Sequence, residues 1–464
     1  MRINHNSLAL NASDHFATIN KNLAKSISRL SSGYKITSPA DDAAGLAIST
    51  KMDAQIRGLD RASLNSNDGV SVIQSAEGGM TEIHSILGRM RELAVQAAND
   101  VMCEEDRDAI QEEIDSLAEE IDQITDSTAF NGQKLLNGDM SRRSLSSDPG
   151  IYTTFLSEDV NVGNYELEVT AEAEKAELAL GITASGAQVS KTQEGTFTIN
   201  GFSVEIKEGM TMTEVIEEMQ VHLDKIGIDV DNSTGATMLR TEEYGSKQRI
   251  EFKCDNPELV ALIGLSDGDK AEGKDCSVSL TVTADGFKKS ATCTADGYDI
   301  TVVDRNGFEM QLEVDPKVME KQGSISTNVQ VLSAGPMVIQ TGANSGEQLS
   351  IDIPAVDSKS LKVDNLIMYT HEYAGDAIEA IDAAVKKVSS IRSKLGAYQN
   401  RLEDVYDNLK VQSESMTEAY SRIMDTDMAS EMTNYTQQNV LSQAAVSMMQ
   451  KSNDRPESLL QLLQ

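Results

Sequence analysis

The sequence predicts an α+β chain in which both termini combine in a long antiparallel helical coiled-coil rod, with a β-rich domain inserted between them. Three observations predict it. Leu8, Ala12, Phe16, Ile19, Leu23, Ile27 and Leu30 recur at spacings of three and four, one apolar seam along an amphipathic helix. Met428, Met432, Tyr435, Leu441, Ala445 and Met448 form a second seam at the other end, and two such seams bury themselves most simply against each other. Between roughly 139 and 355 the texture changes: alternating segments such as NYELEVTAEA and FTINGFSVEIKEG are separated by Gly, Asp and Asn turns.

The elements follow in order. After the first seam, Ser38, Pro39, Asp41 and Asp42 read as a helix start. Ser38 is placed at the cap, Pro39 at the first helical position and Asp41 near the third, with both carboxylates facing the positive end of the helix dipole. The rival reading, half of an acid-base or metal site, needs a partner that the local chain does not offer. Helical patterning then continues through Ile73, resumes from about Met80 to Ala98, and returns from Glu104 to Ile124. Asn131-Gly132 and Asn137-Gly138 are turn signals around a short apolar piece. Inside the alternating region, Thr211 to Asp224 reads as a helix with Val215, Ile216 and Met219 on one face, and the middle, β-rich with one or two short helices, reads as one or two inserted modules. MVIQ and LSIDI flank GANSG as a hairpin, and a last long helix is expected from Ala374 to about Asp425.

Bulk properties narrow the function. A chain of 464 residues accommodates about two to four domains. A formal charge of −34, from 74 acidic against 40 basic residues, argues against nucleic acid and anionic membranes as partners. Aromatic residues are 4% of the chain and Trp is absent, which tells against an aromatic-lined ligand pocket. No apolar run approaches the ~18 residues of a membrane span, and LALNA is too short for a signal peptide, so any export is expected to proceed without a cleaved leader. Cys103, Cys254, Cys276 and Cys293 have no metal-site spacing. Cys276 and Cys293 share the strand-rich middle, where either a bridge or two free thiols fits. The five histidines never pair at ligand spacing, and no phosphate loop, dinucleotide fingerprint or hydrolase motif is present. The expectation is a non-enzyme with no cofactor and no metal, built for ordered self-association.

The termini also resemble a known family. MRINHNSLALNA, NLAKSISRLSSGYKITSPADDAAGLAIS, RGLDRASLNSNDGVSVIQSAEGGMTEI and RMRELAVQAAND at one end, and LGAYQNRLEDVYDNL, SRIMDTDMASEM and QQNVLSQAAVSMMQKSN at the other, resemble bacterial flagellin, the subunit of the flagellar filament. The resemblance implies an extracellular polymer for swimming motility and a domain layout. Residues 1–42 and 428–464 would form an inner core of paired helices, 43–138 and 336–427 an outer tube carrying the hairpin, and 139–335 an exposed variable insertion. It implies that Arg89, Arg91, Glu92, Leu93 and Glu113 lie on a surface used first for subunit packing and also recognised by a host innate immune receptor. It implies further partners: an export chaperone on the C-terminal helix, the flagellar type III export apparatus, and the filament cap and junction proteins. Met424 and Gln464 depart from the family pattern, each at the place of a common Arg. Alternatives within the resemblance are a hook-filament junction protein, or a flagellin whose outer domain is adhesive or enzymatic.

Overall fold

The computed structural model describes residues 6–99, 101–182, 187–232, 237–283, 286–305 and 307–461. The chain opens with α1 (Ser7–Ser32), α2 (Ala43–Ala97) and α3 (Glu104–Ser127), followed by the hairpin β1 (Ala129–Phe130) and β2 (Gln133–Lys134). The insertion begins with β3 (Ser144–Ser146), β4 (Ile151–Leu156), β5 (Gly163–Ala171) and β6 (Glu177–Ala179). It continues through β7 (Gly195–Ile199), β8 (Phe202–Ile206), α4 (Met212–Asp224), β9 (Ile228–Asp231), β10 (Met238–Thr241) and β11 (Arg249–Cys254). Next come α5 (Pro257–Ile263), β12 (Lys270–Glu272), β13 (Ser277–Thr281), β14 (Thr292–Asp296) and β15 (Asp299–Val303). It ends with β16 (Glu309–Val314), α6 (Pro316–Gln322) and β17 (Ile325–Val331). The hairpin β18 (Met337–Gln340) and β19 (Gln348–Ile351), the single turn α7 (Ser358–Leu361), α8 (His371–Met424) and α9 (Met428–Gln461) complete the chain.

Two compact units divide these elements. One gathers the described parts of 1–68, 340–348 and 402–464, the other those of 69–339 and 349–401. In the first, α1 runs antiparallel to α9, and the early part of α2 packs on the end of α8 through Leu59, Ala62 and Leu409. In the second, the later part of α2 meets α8 through Arg392–Glu77, 2.7 Å, and Arg91–Asp382, 2.6 Å. Pairing of the long terminal helices is therefore what the apolar seams specify, and a β-rich region lies between them in the chain.

Local chemistry sets the boundaries. Asn6 caps α1 by accepting from the Ala9 N–H, and Gly33 ends it at φ +76°, a conformation that costs glycine little. Thr211 and Glu214 form a reciprocal capping box on α4, whose Met212, Val215, Ile216, Met219 and Leu223 are buried. Asn131-Gly132 and Asn200-Gly201 both adopt positive φ and close two-residue hairpins.

Two expectations need correction. The helical patterns ending at Ile73 and starting at Met80 are one helix, α2, which passes through Gly78 and Gly79 unbroken. A Cβ at Gly79 would lie 2.6 Å from Thr128 Oγ1 and 2.9 Å from Leu136 Cδ1, so this glycine admits a neighbour rather than ending the helix. The insertion holds three described helices rather than one or two, because α5 and α6 have seven residues each, too few to display a period. Their signals were Asn256-Pro257 and Asp315-Pro316, a cap followed by proline at the first helical position. The hydrophobic middle has two cores. One is built around Phe197, Phe252, Met219 and Leu239, the other around Tyr165, Phe287, Ile300 and Leu312. Sheets β12-β11-β7-β8 and β6-β10-β9 serve the first, β13-β5-β17-β3 and β14-β15-β16-β4 the second. All four cysteines are free, and burial, with Cys293 beside it, pushes the Cys276 thiol up to about 12.

Candidate assembly surfaces

The terminal pair is the first surface. Asn6 Nδ2 donates to the Ser452 carbonyl at 3.0 Å, Ser442 Oγ to Asn20 Oδ1 at 3.3 Å, and Arg29 meets Glu431 at 3.7 Å. These contacts fix the antiparallel register. The seam residues then separate into two groups. Phe16, Ile19, Leu23, Leu30, Tyr435 and Ala445 are half-buried. Leu8, Ile27, Met428, Met432, Leu441 and Met448 remain 41–66% exposed. One chain therefore does not close its own seams, which corrects the simplest reading of them. Leu10, Val440 and Val446 extend the exposed apolar surface on the same two helices.

Where α1 hands over to α2, and α8 to α9, the two breaks lie side by side. The Lys35 N–H donates to the Met424 carbonyl at 2.5 Å and the Thr426 N–H to the Gly33 carbonyl at 2.9 Å, with Tyr34 bridged to Asp425. Met424, one of the departures noted in the sequence, is 7% exposed and contributes its backbone here. Gln464 lies outside the described residues.

The Asp pair has a different division of labour from the one its spacing suggests. Ser38 and Pro39 lie in a turn, and α2 begins only at Ala43. Asp42 is the cap: its Oδ1 accepts from the Gly45 N–H at 2.9 Å, and its carbonyl accepts from Leu46. Asp41 instead faces back. Lys25 Nζ stands 2.5 Å away, and Asp41 Oδ2 accepts from the N–H and hydroxyl of both Thr37 and Ser38. With its side chain 5% exposed, it ties the connecting turn to α1, and Lys25 above all holds its carboxyl well below the usual range. Four residues of spacing could not reveal Lys25, because that partner arrives from the preceding helix.

The second surface lies on α2 and α3. Arg89 donates through Nε and Nη2 to Glu113 Oε1 at 2.9 and 2.7 Å, and through Nη1 to Glu92 at 3.5 Å. Arg91 pairs with Asp382 of α8, a partner the sequence did not disclose. The paired carboxylates raise both guanidinium pKa values, and Arg91 lowers that of Asp382. Arg89, Arg91, Glu92 and Glu113 are exposed. Leu93 is not: at 2% exposure it belongs to the helical core and presents nothing to a partner, which corrects its place in the expected surface.

Among the described residues no helix is long and apolar enough to cross a membrane, and no group of three or more His, Cys, Asp or Glu is placed to hold a metal ion.

Comparison with known proteins converges on these two ends. The family model for the bacterial flagellin N-terminal helical region matches residues 3–141, and that for the C-terminal helical region matches 378–463. Flagellin of Clostridium tyrobutyricum is 34% identical over 98% of this chain and 100% of its own. Flagellin of Bacillus subtilis is 31% identical over the full length of both, and flagellin A of Vibrio anguillarum is 31% identical over 100% of this chain and 99% of its own. Identity that runs the whole length of its relatives, together with paired terminal helices matched by both family models, places this chain in the bacterial flagellin family, the structural proteins of the flagellum.

Proposed function

We propose that the chain polymerises into the flagellar filament outside the cell and serves swimming motility. The observation that carries this is the set of apolar side chains left exposed along the α1–α9 pair, among them Leu8, Ile27, Leu441 and Met448. Apolar surface left exposed on paired helices is suited to docking, and a contact repeated head to tail without closure generates a helical polymer. Burial at ~25 cal/mol per Å² of apolar surface supplies the driving force. In this reading residues 1–42 and 428–464 form the inner core, 43–138 and 336–427 the outer tube, and 139–335 the exposed insertion. Arg89, Arg91, Glu92 and Glu113 pack between subunits and are available to a host innate immune receptor on free monomer. The C-terminal helix is held by an export chaperone, the unfolded chain leaves through the type III apparatus, and the assembled polymer meets cap and junction proteins.

Electron microscopy of purified monomer, with and without short filament seeds, tests the proposal. Long filaments are expected from the native chain. The double variant Ile27→Asp/Leu441→Asp should keep the monomer's circular dichroism and form none. A native chain that only decorates the ends of seeds would mark a junction protein, and filaments from the double variant at native yield would remove the exposed seam from the mechanism.

A further inference from the structure

The second insertion core meets α7 and α8 in an unusual way. A cleft of about 1440 Å³ opens there, lined on one side by Phe155, Glu309 and Glu313 and on the other by Lys359, Lys387 and Lys394. Charges cross it in sequence. Lys359 Nζ stands 2.7 Å from Glu313, Lys362 3.7 Å from Asp299, Lys387 3.9 Å from Glu309, and Lys394 3.1 Å from Asp159 and 3.9 Å from Glu158. Tyr398 donates to Glu158 at the end of the row. Every lysine comes from α7, α8 or the residue just after α7, and every acid from β15, β16 or the segment after β4.

The acid row breaks a local rule. Asp299 and Glu313 are directly opposed across the β15–β16 ladder, and like charges in that position destabilise a sheet. Lys359 and Lys362 supply the missing counter-charge from another part of the chain. Except at Lys387, which is 14% exposed, the lysine side chains of the row are 38–56% exposed, so salt can screen these pairs. Lys387 is also the lid on Phe155: its Nζ lies 3.3 Å from the ring centroid and donates to the Ser360 carbonyl at 2.7 Å. The connection leading into and out of the insertion is narrow, two passes of chain joined by Arg143 N–H to Ala334 O at 2.9 Å and Leu332 N–H to Arg143 O at 2.8 Å.

We propose that these facing rows form a salt-releasable latch, which docks the β14-β15-β16-β4 sheet on α7 and α8 and lets it swing on that connection when the pairs are broken. The set of that sheet on α7 and α8 then follows ionic strength, while the first insertion core keeps its own packing against Ile367, Tyr369 and Tyr373. Opening uncovers Phe155, which is 5% exposed when the latch is closed, and leaves Phe197 in the first insertion core untouched.

Hydroxyl-radical footprinting of the full-length monomer, read by mass spectrometry at Phe155 with Phe197 as the internal reference, tests this. Raising salt from low to molar concentration should increase Phe155 oxidation while Phe197 stays protected. Lys359→Glu should raise it roughly fivefold at low salt, about what one exposed ion pair is worth in an equilibrium. The swap Lys359→Glu/Glu313→Lys should restore protection. Phe155 as protected as Phe197 in molar salt and in Lys359→Glu, or a rise at both residues together, would overturn the latch.

Discussion

Asp352 is 7% exposed, and Arg142 Nε stands 3.9 Å from its Oδ2, beyond hydrogen-bond distance. Burial dominates, and its carboxyl is raised to about 6. A carboxyl whose folded pKa lies above its unfolded value binds protons more tightly when folded. It therefore costs stability above pH 6, and that cost is relieved as pH falls toward 4. Asp352→Asn should raise stability at pH 7.5 by up to about 3 kcal/mol, and should gain little at pH 4; urea midpoints at the two pH values decide this. The Asp pair at the start of α2 makes the opposite case. Asp42→Ala removes a cap and should cost about 1 kcal/mol, measurable by the same unfolding experiment. Sequence proximity suggested one role for both acids, but Asp41 turns to Lys25 while Asp42 stays with its helix.

At the scale of the element, α2 shows why a glycine pair is ambiguous. Gly78 and Gly79 are adjacent, yet a Cβ at Gly78 would meet nothing within 4 Å while one at Gly79 would strike Thr128 and Leu136. Gly78→Ala should therefore stabilise by about 0.5–1 kcal/mol through the backbone entropy of the unfolded chain. Gly79→Ala should destabilise by about 1–3 kcal/mol through overpacking. Opposite shifts in thermal midpoint are the expected result, and equal shifts would mean that the β1–β2 hairpin segment does not press on α2. The breaks between α1 and α2 and between α8 and α9 were legible only as changes of pattern. Their alignment through Lys35 and Met424 pairs residues almost 390 positions apart.

At the scale of the whole molecule the described residues fall into two compact units. The unit made of 69–339 and 349–401 holds both insertion cores and the Arg91–Asp382 and Arg392–Glu77 pairs, and α9 belongs to the other unit. A chain ending at Asp427 should keep the calorimetric transition of that unit and lose helical signal from α1, since most of the stability of an amphipathic helix comes from packing its apolar face, which here lies on α9. It should also fail to form filaments. Loss of the main transition would show that the terminal pair supports the rest of the fold.

By itself the sequence determined the long terminal helices, the β-rich middle and their order along the chain. Period of three and four marks the terminal helices and the Thr211–Asp224 helix, and Asn131-Gly132 marks a turn, because each of these rules acts over a short stretch of chain. It also carried the family resemblance, which lies in the two ends. Tertiary structure decided the rest. It buried Leu93 and left Ile27 and Leu441 exposed, gave Arg91 its partner on α8, joined two helical patterns across Gly79, and brought the lysines of α7 and α8 to the acids of β15 and β16. Periodicity names a helix face but not the neighbour that covers it, and a charge in the sequence has no partner until folding brings distant segments within a few ångströms.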